Sequence, residues 1–328
     1  MSLAEVYYGI VEALKLPLQS VIDSQSRLHV LYLFSSLTLA YFVYRKTKQR
    51  ESFWKYVFRK DVWLSRSAFV DYGMIFFNAF FKVFLIGPYL VFGFYLSYRM
   101  EAFLPELFGY PSAGLSATTT IILYTIVLTI VSDFSTYVVH FIMHRVPVLW
   151  EFHKVHHSAT SLNPVTQYRI HPVELIINNA KGVLVLGLVT GVFRYLSAHP
   201  IEELTLIGAN VLSFAFLFFG SNLRHSHIPL RYFDWLEYVF ISPFQHQIHH
   251  SDDQKHFNKN LGSKLAIWDW MFGSLVKSRT VDSVNFGIGK HEESNYDTLL
   301  KNAYMPFLNL YRMVAGRLSK NPAPRRVR

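Results

Sequence analysis

The sequence HFIMHRVPVLWEFHKVHH covers residues 140–157 and contains five histidines. Further along the chain, HSH at 225–227 and HQIHH at 246–250 bring the number in these segments to ten of the fifteen histidines present. One helical turn takes about 3.6 residues, so side chains three and four positions apart share a face. In helices, the motifs HFIMH, HKVHH and HQIHH therefore each direct two or three imidazoles toward one point.

These motifs favour a metal site over two simpler explanations. A single histidine in an apolar protein is usually a hydrogen-bonded core residue, but chance does not readily produce two copies of HxxHH beside a third pair. A proton relay needs a chain of groups rather than packed triplets. Neutral imidazole is the commonest metal-binding side chain. Since one zinc ion takes about four ligands, eight or nine imidazoles predict two metal ions with open coordination positions.

The composition is that of a membrane protein. Hydrophobic residues make up 51% of the 328 residues and charged residues only 16%, whereas soluble domains carry about 25% charged residues. The formal charge is +10. The basic residues form no recognition helix, so we expect a cytoplasmic membrane face rather than nucleic acid as their partner. Cysteine is absent, which excludes disulfides and thiolate ligands. The first residues do not resemble a cleavable signal peptide.

Hydropathy and charge predict an all-α bundle of about four or five membrane helices. After a short amphipathic helix within residues 1–27, apolar runs occur at about 29–44, 74–98, 117–143, 182–193 and 204–220. The second run is one tilted span or a hairpin. The last two form a hairpin, and whether 182–193 crosses fully stays open.

The basic segment 45–66 is expected in the cytoplasm by the positive-inside rule, and the loop 99–116 on the other side. All four histidine motifs then lie on the cytoplasmic side. The basic end of the chain, with Arg317, Lys320, Arg325, Arg326 and Arg328, is expected there too, near anionic lipid.

The motifs HFIMH, HKVHH and HQIHH, with HSH before the last, resemble those of the membrane fatty acid hydroxylase / sterol desaturase superfamily. The flanking Asp133 and Tyr137, RIHPVE at 169–174, NLG at 260–262 and WDWMFGS at 268–274 extend the resemblance to roughly residues 130–275. The resemblance implies membrane-anchoring helices at 1–130, a catalytic region at 131–275 and a basic cytoplasmic tail at 276–328. It also implies an integral membrane helical bundle with a cytoplasmic, histidine-lined di-metal cap.

The resemblance further implies an enzyme that uses O2 and external electrons to hydroxylate or desaturate a fatty acyl, sterol or related lipid. Its metals would be two iron ions, replaced by zinc on overexpression. The chain shows no haem-binding or flavin-binding segment, so a separate cytochrome b5-like or ferredoxin-like donor is expected. The location would be the bacterial inner membrane or the endoplasmic reticulum.

The ligands implied by the resemblance are His140, His144, His153, His156, His157, His225, His246, His249 and His250. The third motif of the family usually reads HSN. In this chain His227 replaces the asparagine, and whether it also binds a metal stays open.

Two alternatives from other classes remain. A membrane di-zinc hydrolase would use carboxylate ligands and a general base, and no HExxH occurs in the sequence. A non-catalytic metal-binding membrane protein, such as a transporter, would distribute its ligands along the spans rather than gather them at one end.

The residues around the motifs allow more than one role. Asp133 is either a partner of a ligating histidine, as such ligands usually require, or part of an ion pair. His171 and Glu174 either support the ligands or begin a helix. We expect His256 at the surface or behind the ligands, the group Trp268, Trp270 and Phe272 in interfacial packing, and His29, His199 and His291 in structural roles.

Overall fold

A computed structural model describes residues 2–23, 26–86, 90–199 and 211–318. Within these residues the secondary structure is helical, and β-structure is limited to isolated bridges such as Leu115–Ser197. The predicted all-α class is therefore confirmed for the described residues. Parts of four predicted segments lie outside them: residues 1 and 24–25 of the N-terminal segment, 87–89 of the second apolar run, 204–210 of the fifth run and 319–328 of the basic tail.

The helices are labelled in chain order. The longer ones are α1 (Leu3–Gln19), α2 (Val30–Lys46), α5 (Arg66–Phe81), α6 (Leu90–Phe108), α7 (Ala117–Arg145), α8 (Pro147–His157), α9 (Pro172–Leu196) and α14 (Leu299–Leu318). The shorter ones are α3 (Phe53–Val57), α4 (Lys60–Trp63), α10 (Val211–Phe218), α11 (Pro243–His249), α12 (Ile267–Met271) and α13 (Lys290–Glu293). A π-helical turn, Lys82–Ile86, continues α5, and a 3-10 helix covers Ser221–His225.

Three helices among the described residues are long and apolar enough to cross a membrane: Arg66–Leu85, Ala117–Arg145 and Pro172–Leu196. The third predicted run lies in α7. The stretch 182–193 is the middle of α9, which has 25 residues and so exceeds the roughly 20 residues that a span needs. The first predicted run lies in α2, which has only 17 residues. The second run is divided between α5 and α6.

The corner between α7 and α8 positions two of the histidine motifs. The Ser116 hydroxyl accepts a hydrogen bond from the Thr119 amide at 3.2 Å and caps the start of α7. Val146 has extended backbone angles, and Pro147 occupies the first turn of α8, where its missing N–H costs nothing. Because the chain turns between the two helices, the end of α7 faces the last turns of α8.

The helices α6 and α9 pack at close range because α9 carries glycines on the contact face. A Cβ at Gly187 would lie 2.8 Å from the Gly93 carbonyl oxygen, and one at Gly191 would lie 2.6 Å from the Ser97 carbonyl oxygen. Backbone hydrogen bonds of Leu115 with Leu196 and Ala198 join the start of α7 to the end of α9. The end of α7 and the start of α9 consequently lie together at the opposite end of the bundle, where the histidines are.

Helix α14 holds α8 in place from the other side. Lys154 is buried in α8, and its ammonium group lies 2.8 Å from a Glu151 carboxylate oxygen and 3.2 Å from one of Glu292. The Asn309 amide of α14 donates to Glu151 at 2.7 Å. Residues 299–318 are therefore a packed part of the fold beside the histidine motifs.

Candidate metal centre

The nine histidines predicted as ligands come together in two groups, in which His140 and His144 are half-buried and the other seven are buried. The five-histidine cluster contains His140, His144, His153, His157 and His249, and the four-histidine cluster contains His156, His225, His246 and His250. Within each cluster, the candidate ligand nitrogens all lie within 4.8 Å of one another. The structure thus divides the nine imidazoles into two sets, each with enough ligands for one metal ion.

Each HxxHH motif contributes histidines to both clusters, and the two motifs do so in opposite proportions. In α8 the first and last histidines, His153 and His157, belong to the five-histidine cluster, while His156 belongs to the other. In HQIHH, at the end of α11, the first and last histidines, His246 and His250, belong to the four-histidine cluster, while His249 belongs to the five-histidine cluster. Adjacent helical residues project about 100° apart, so one short helix serves two metal positions.

The Nε2 atoms of the imidazoles face each other at short range. In the five-histidine cluster, His153 Nε2 lies 3.1 Å from His140 Nε2 and 3.2 Å from His157 Nε2. In the four-histidine cluster, His225 Nε2 lies 3.2 Å from His156 Nε2 and 3.1 Å from His246 Nε2. Each cluster therefore aims the same ring atom of several imidazoles at a common centre.

The partners of the opposite ring nitrogens determine where the protons are. The Nδ1 atoms of His140, His156 and His249 lie 2.7, 3.2 and 2.9 Å from the carbonyl oxygens of Leu261, Arg169 and Lys259. A carbonyl can only accept a hydrogen bond, so each Nδ1 carries the proton. The Nε2 atoms are left as unprotonated lone pairs.

Converging lone pairs repel one another unless a cation lies between them. The Nε2 atoms of His144 and His249 are buried and have no hydrogen-bond partner in the described part of the chain. Buried polar atoms without partners are rare in native proteins. The donor set therefore fits two metal ions bound through imidazole nitrogens.

Burial keeps these imidazoles in the neutral form that metal binding requires. It lowers the pKa of His153 and His156 to about 3. Burial lowers the pKa of His246, His249 and His250 well below the usual value, with the next contribution from Arg224 for His246 and from neighbouring imidazoles for the other two. Neutral imidazole is the form that coordinates, so the site needs no deprotonation step at neutral pH before metal binds.

Two charged groups contact the clusters from outside. Glu174, at the start of α9, places a carboxylate oxygen 3.0 Å from His153 Nδ1. Such a carboxylate orients a ligating histidine and raises its basicity. Arg224 carries a positive charge, and its guanidinium donates to His246 Nδ1 at 3.0 Å. Because this Nδ1 accepts, the proton of neutral His246 is on Nε2, unlike that of His140, His156 and His249. Burial lowers the pKa of Arg224 to about 9.

A cavity of about 140 Å³ lies against both clusters and is called the site cavity below. His140 and His153 of one cluster and His156, His225 and His246 of the other line it. The remaining wall residues include Arg27, Gln167, Glu174, Asn178 and Arg224. A small organic group in this cavity would be in contact with the proposed metal positions.

His171 and Glu174, which were expected either to support the ligands or to begin a helix, have different roles. Glu174 contacts a candidate ligand, as described above. His171 begins a helix, because its Nδ1 accepts from the Val173 amide at 3.1 Å and caps α9. Its Nε2 donates to the Ala303 carbonyl of α14 at 3.1 Å.

Neither interpretation of Asp133 matches its contacts. Its carboxylate accepts hydrogen bonds from the backbone amides of Lys264 and Leu265 at 2.8 and 3.0 Å and from the Trp268 indole at 2.9 Å. It therefore fixes the segment that follows Leu261, whose carbonyl binds His140. Tyr137 lies nearby and stacks on Phe272.

His227 lies outside both clusters. Its Nε2 donates to the Tyr56 carbonyl at 2.7 Å, and its ring contacts the Tyr56 ring edge to face. His256 is buried behind α11, where its Nδ1 lies 3.0 Å from the Ser251 hydroxyl. His29 caps α2, and Trp270 and Phe272 are exposed at the surface.

Sequence reasoning missed the basic residues around the site. Arg169 is 1% exposed, pairs with Asp71 at 3.3 Å and donates to the Ser158 hydroxyl at 2.8 Å. It ties the segment after α8 to α5, and its own carbonyl accepts from His156. Arg224 directly precedes His225. Its position beside a metal-binding motif is the sequence signal that could have indicated its role.

Residues 125–274 match the model of the fatty acid hydroxylase family. The resemblance predicted from the histidine motifs is confirmed over these residues. The match begins within α7 and ends just after α12, and it contains all nine clustered histidines. No solved structure matches the chain.

Three relatives with assigned activities each match about half of this chain. An ornithine lipid hydroxylase, OlsE, of Rhizobium tropici is 30% identical over 159 residues, which are 48% of this chain and 44% of that protein. The alkylglycerol monooxygenase of Xenopus tropicalis is 22% identical over 48% of this chain and 31% of its own length. That of Caenorhabditis elegans is 26% identical over 49% and 29%. The matched segment thus spans less than half of each relative.

Proposed function

We propose that this chain is a membrane-bound, O2-dependent oxidoreductase that hydroxylates or desaturates a lipid at a di-iron centre held by nine histidines. The observation that carries the proposal is the pair of histidine clusters with converging Nε2 atoms, of which those of His140, His156 and His249 carry no proton. The relatives named as lipid hydroxylase and alkylglycerol monooxygenase support the type of reaction.

Iron suits the proposed reaction because it supplies O2 and one-electron chemistry that no amino-acid side chain provides. Imidazole donors also bind zinc, so we expect zinc to replace iron on overexpression. Hydroxylation uses one O2, two electrons and two protons, and leaves one oxygen atom in the lipid and one in water. Desaturation removes two hydrogens from the lipid and reduces both oxygen atoms to water. In both cases the electrons come from a separate cytochrome b5-like or ferredoxin-like donor.

Backbone and side-chain groups of the protein perform three tasks in this proposal. The backbone carbonyls of Leu261, Arg169 and Lys259 hold imidazole protons on Nδ1 and so keep the ligand atoms free. Glu174 fixes the ring of His153. The site cavity holds the reacting part of the lipid beside both clusters, away from bulk water.

We place the protein in the membrane with the histidine clusters on the cytoplasmic side. Three described helices have the length and composition of spans. The clusters lie at the end of α7 and the start of α9, at one end of the bundle. The basic segment 45–66 supports the cytoplasmic side for this end, in the bacterial inner membrane or the endoplasmic reticulum.

Oxygen incorporation tests the proposal directly. The purified full-length chain is loaded anaerobically with ferrous iron, mixed with a lipid extract and a chemical reductant, and exposed to isotopically heavy O2. We expect two iron ions per chain and lipid products that carry one heavy oxygen atom or have lost two hydrogens. His225→Ala is the matched inactive control, because it removes one imidazole of the four-histidine cluster.

Two results would overturn the proposal. Lipid cleavage by zinc-loaded protein without O2 would assign a hydrolase. Two bound metals with no change in any lipid, under conditions where the reductant is consumed, would indicate a metal-binding protein without this activity.

A further inference from the structure

The site cavity contains two arginines that have no acidic partner. Arg224 is 3% exposed, and its Nε has no hydrogen-bond partner in the described part of the chain. Its Nη2 donates to His246 Nδ1 and, at 3.4 Å, to the Gly262 carbonyl. Arg27 lines the same cavity, and the positive charges of the two arginines oppose each other.

Apart from Arg224, the fully buried cations among the described residues are paired. Arg169 has Asp71 as its partner, and Lys154 has Glu151 and Glu292. Burying a charge without a partner is costly, so Arg224 differs from the other fully buried cations. Among the described residues, neither Arg27 nor Arg224 has a carboxylate within ion-pair distance.

The surroundings add positive charge. Lys82, Lys181 and Lys264 lie within electrostatic reach of Arg27. Lys181 and Lys264 donate to the neutral hydroxyls of Thr136 and Ser213, and the Lys82 ammonium lies over the Tyr168 ring.

Two acids lie near this region. Asp133 accepts hydrogen bonds from the segment 264–268. Glu174 lines the cavity with one carboxylate oxygen 3.0 Å from His153 Nδ1, and its Oε2 has no hydrogen-bond partner among the described residues. Neither is within ion-pair distance of the two arginines.

The position of Arg27 is fixed by the fold. It lies in the connection between α1 and α2, and its carbonyl accepts a hydrogen bond of 2.8 Å from the Asn222 side chain. Asn222 belongs to the 3-10 helix that supplies His225. The connection is therefore attached to the same short helix that carries Arg224, which holds both arginines at one cavity.

We infer that the site cavity binds an anionic head group of the lipid substrate, a carboxylate or a phosphate ester, through the guanidinium groups of Arg27 and Arg224. Guanidinium groups suit both anions because their N–H donors match the paired oxygens. The inference rests on the proposed function for the identity of the ligand as a substrate.

The location also restricts which carbon reacts. Arg224 Nη2 is 3.0 Å from His246 Nδ1, so only one imidazole ring separates the guanidinium from the centre of the four-histidine cluster. A cavity of about 140 Å³ holds a charged group and the first carbons next to it. The oxidised carbon is therefore close to the charged end of the lipid and far from the end of its alkyl chain.

Binding of matched amphiphiles tests the inference without turnover. Three single-chain lipids with the same alkyl chain and a carboxylate, a phosphate or a neutral methyl-ester end are titrated calorimetrically into the full-length protein in non-ionic detergent. Inorganic phosphate is a fourth ligand. We expect the wild type to bind the better of the two charged lipids roughly tenfold or more tightly than the neutral one.

The variants separate the cavity from general charge effects. Arg27→Gln should lower the preference for the charged lipid about tenfold, and Arg27→Lys should keep much of it. Arg45→Gln is the control, because it removes the same charge from an exposed position at the end of α2, where the guanidinium contacts Tyr41. If Arg27→Gln does not fold, the difference in affinity between charged and neutral lipids, measured on the wild type and on Arg27→Lys, still tests the inference.

Equal affinity of the wild type for charged and neutral lipids would overturn the inference. An equal loss of the preference for the charged lipid in Arg45→Gln would also overturn it. Binding of inorganic phosphate as tight as that of the charged lipids would have the same consequence. If charged lipids bind selectively but none is oxidised by the iron-loaded protein, the proposed function fails and the anion site stands. Oxidation of charged and neutral lipids with equal kcat/KM and equal affinity would leave the function and remove the site.

Discussion

Replacing Glu174 by glutamine should weaken metal binding in the five-histidine cluster. The carboxylate lies 3.0 Å from His153 Nδ1, and both side chains are at least nine-tenths buried. Glutamine has nearly the same shape but no charge, so it no longer raises the basicity of the imidazole. Changes of this kind typically reduce metal affinity by about 10–100-fold, which corresponds to about 1.4–2.7 kcal/mol.

The measurement is a competition between the protein and a chromophoric chelator, read separately for the first and second metal ion. We expect one of the two metals to bind about 10–100-fold more weakly, while the other changes less. Glu151→Gln is the matched control. It alters another buried carboxylate near α8, but the partner there is Lys154, so thermal stability should fall while metal affinity per folded molecule is kept. Unchanged affinity for both metals in Glu174→Gln, within about twofold, would refute the role of this carboxylate.

Other expectations concern ligands, packing, metal removal and topology. His225→Ala should lose metal and activity, whereas His227→Ala should keep two metals per chain and lose only about 1 kcal/mol of stability, because it removes one hydrogen bond; elemental analysis separates the two. Asp133→Ala should lower the free energy of unfolding by about 2 kcal/mol, since it leaves three donors without an acceptor, and denaturant titration measures this. Removal of metal by a chelator should lower the unfolding temperature, and added zinc should restore it, because ligands of the folded state stabilise it by mass action. A single cysteine at Gln254, in a chain that has none, should resist labelling from outside intact cells; labelling there would reverse the proposed topology.

Local spacing predicted the parts of the site that lie within one helix. His153 and His157 share a cluster because they are four residues apart, and the same holds for His246 and His250. The crossing of His156 and His249 to the opposite clusters was not predictable, because it depends on how α8 and α11 face each other. Composition likewise predicted the helical class. It did not predict the lengths of α2 and α9, because these depend on where capping residues begin and end each helix.

Contacts between distant parts of the chain account for the remaining differences. Asp133 binds residues more than 130 positions away, and no spacing rule connects them. His227 follows His225 by two residues, yet the 3-10 helix ends at His225 and the next residue is extended. The ring of His227 therefore points to Tyr56 instead of the cluster. Arg27 lies about two hundred residues before Arg224, and only the fold brings them to one cavity.

The opposite sharing of the two HxxHH motifs has a consequence for assembly. Neither metal position is complete until α8 and α11 have docked, because each helix supplies imidazoles to both. An ion that enters one cluster fixes the relative placement of the two helices and so prearranges the other cluster. The first ion thus orders the two helices, so the second ion binds without that entropic cost. Metal loading should therefore be cooperative, with few protein molecules holding a single ion at intermediate metal supply. A cell short of iron would then contain a mixture of full and empty protein rather than a uniformly half-filled population.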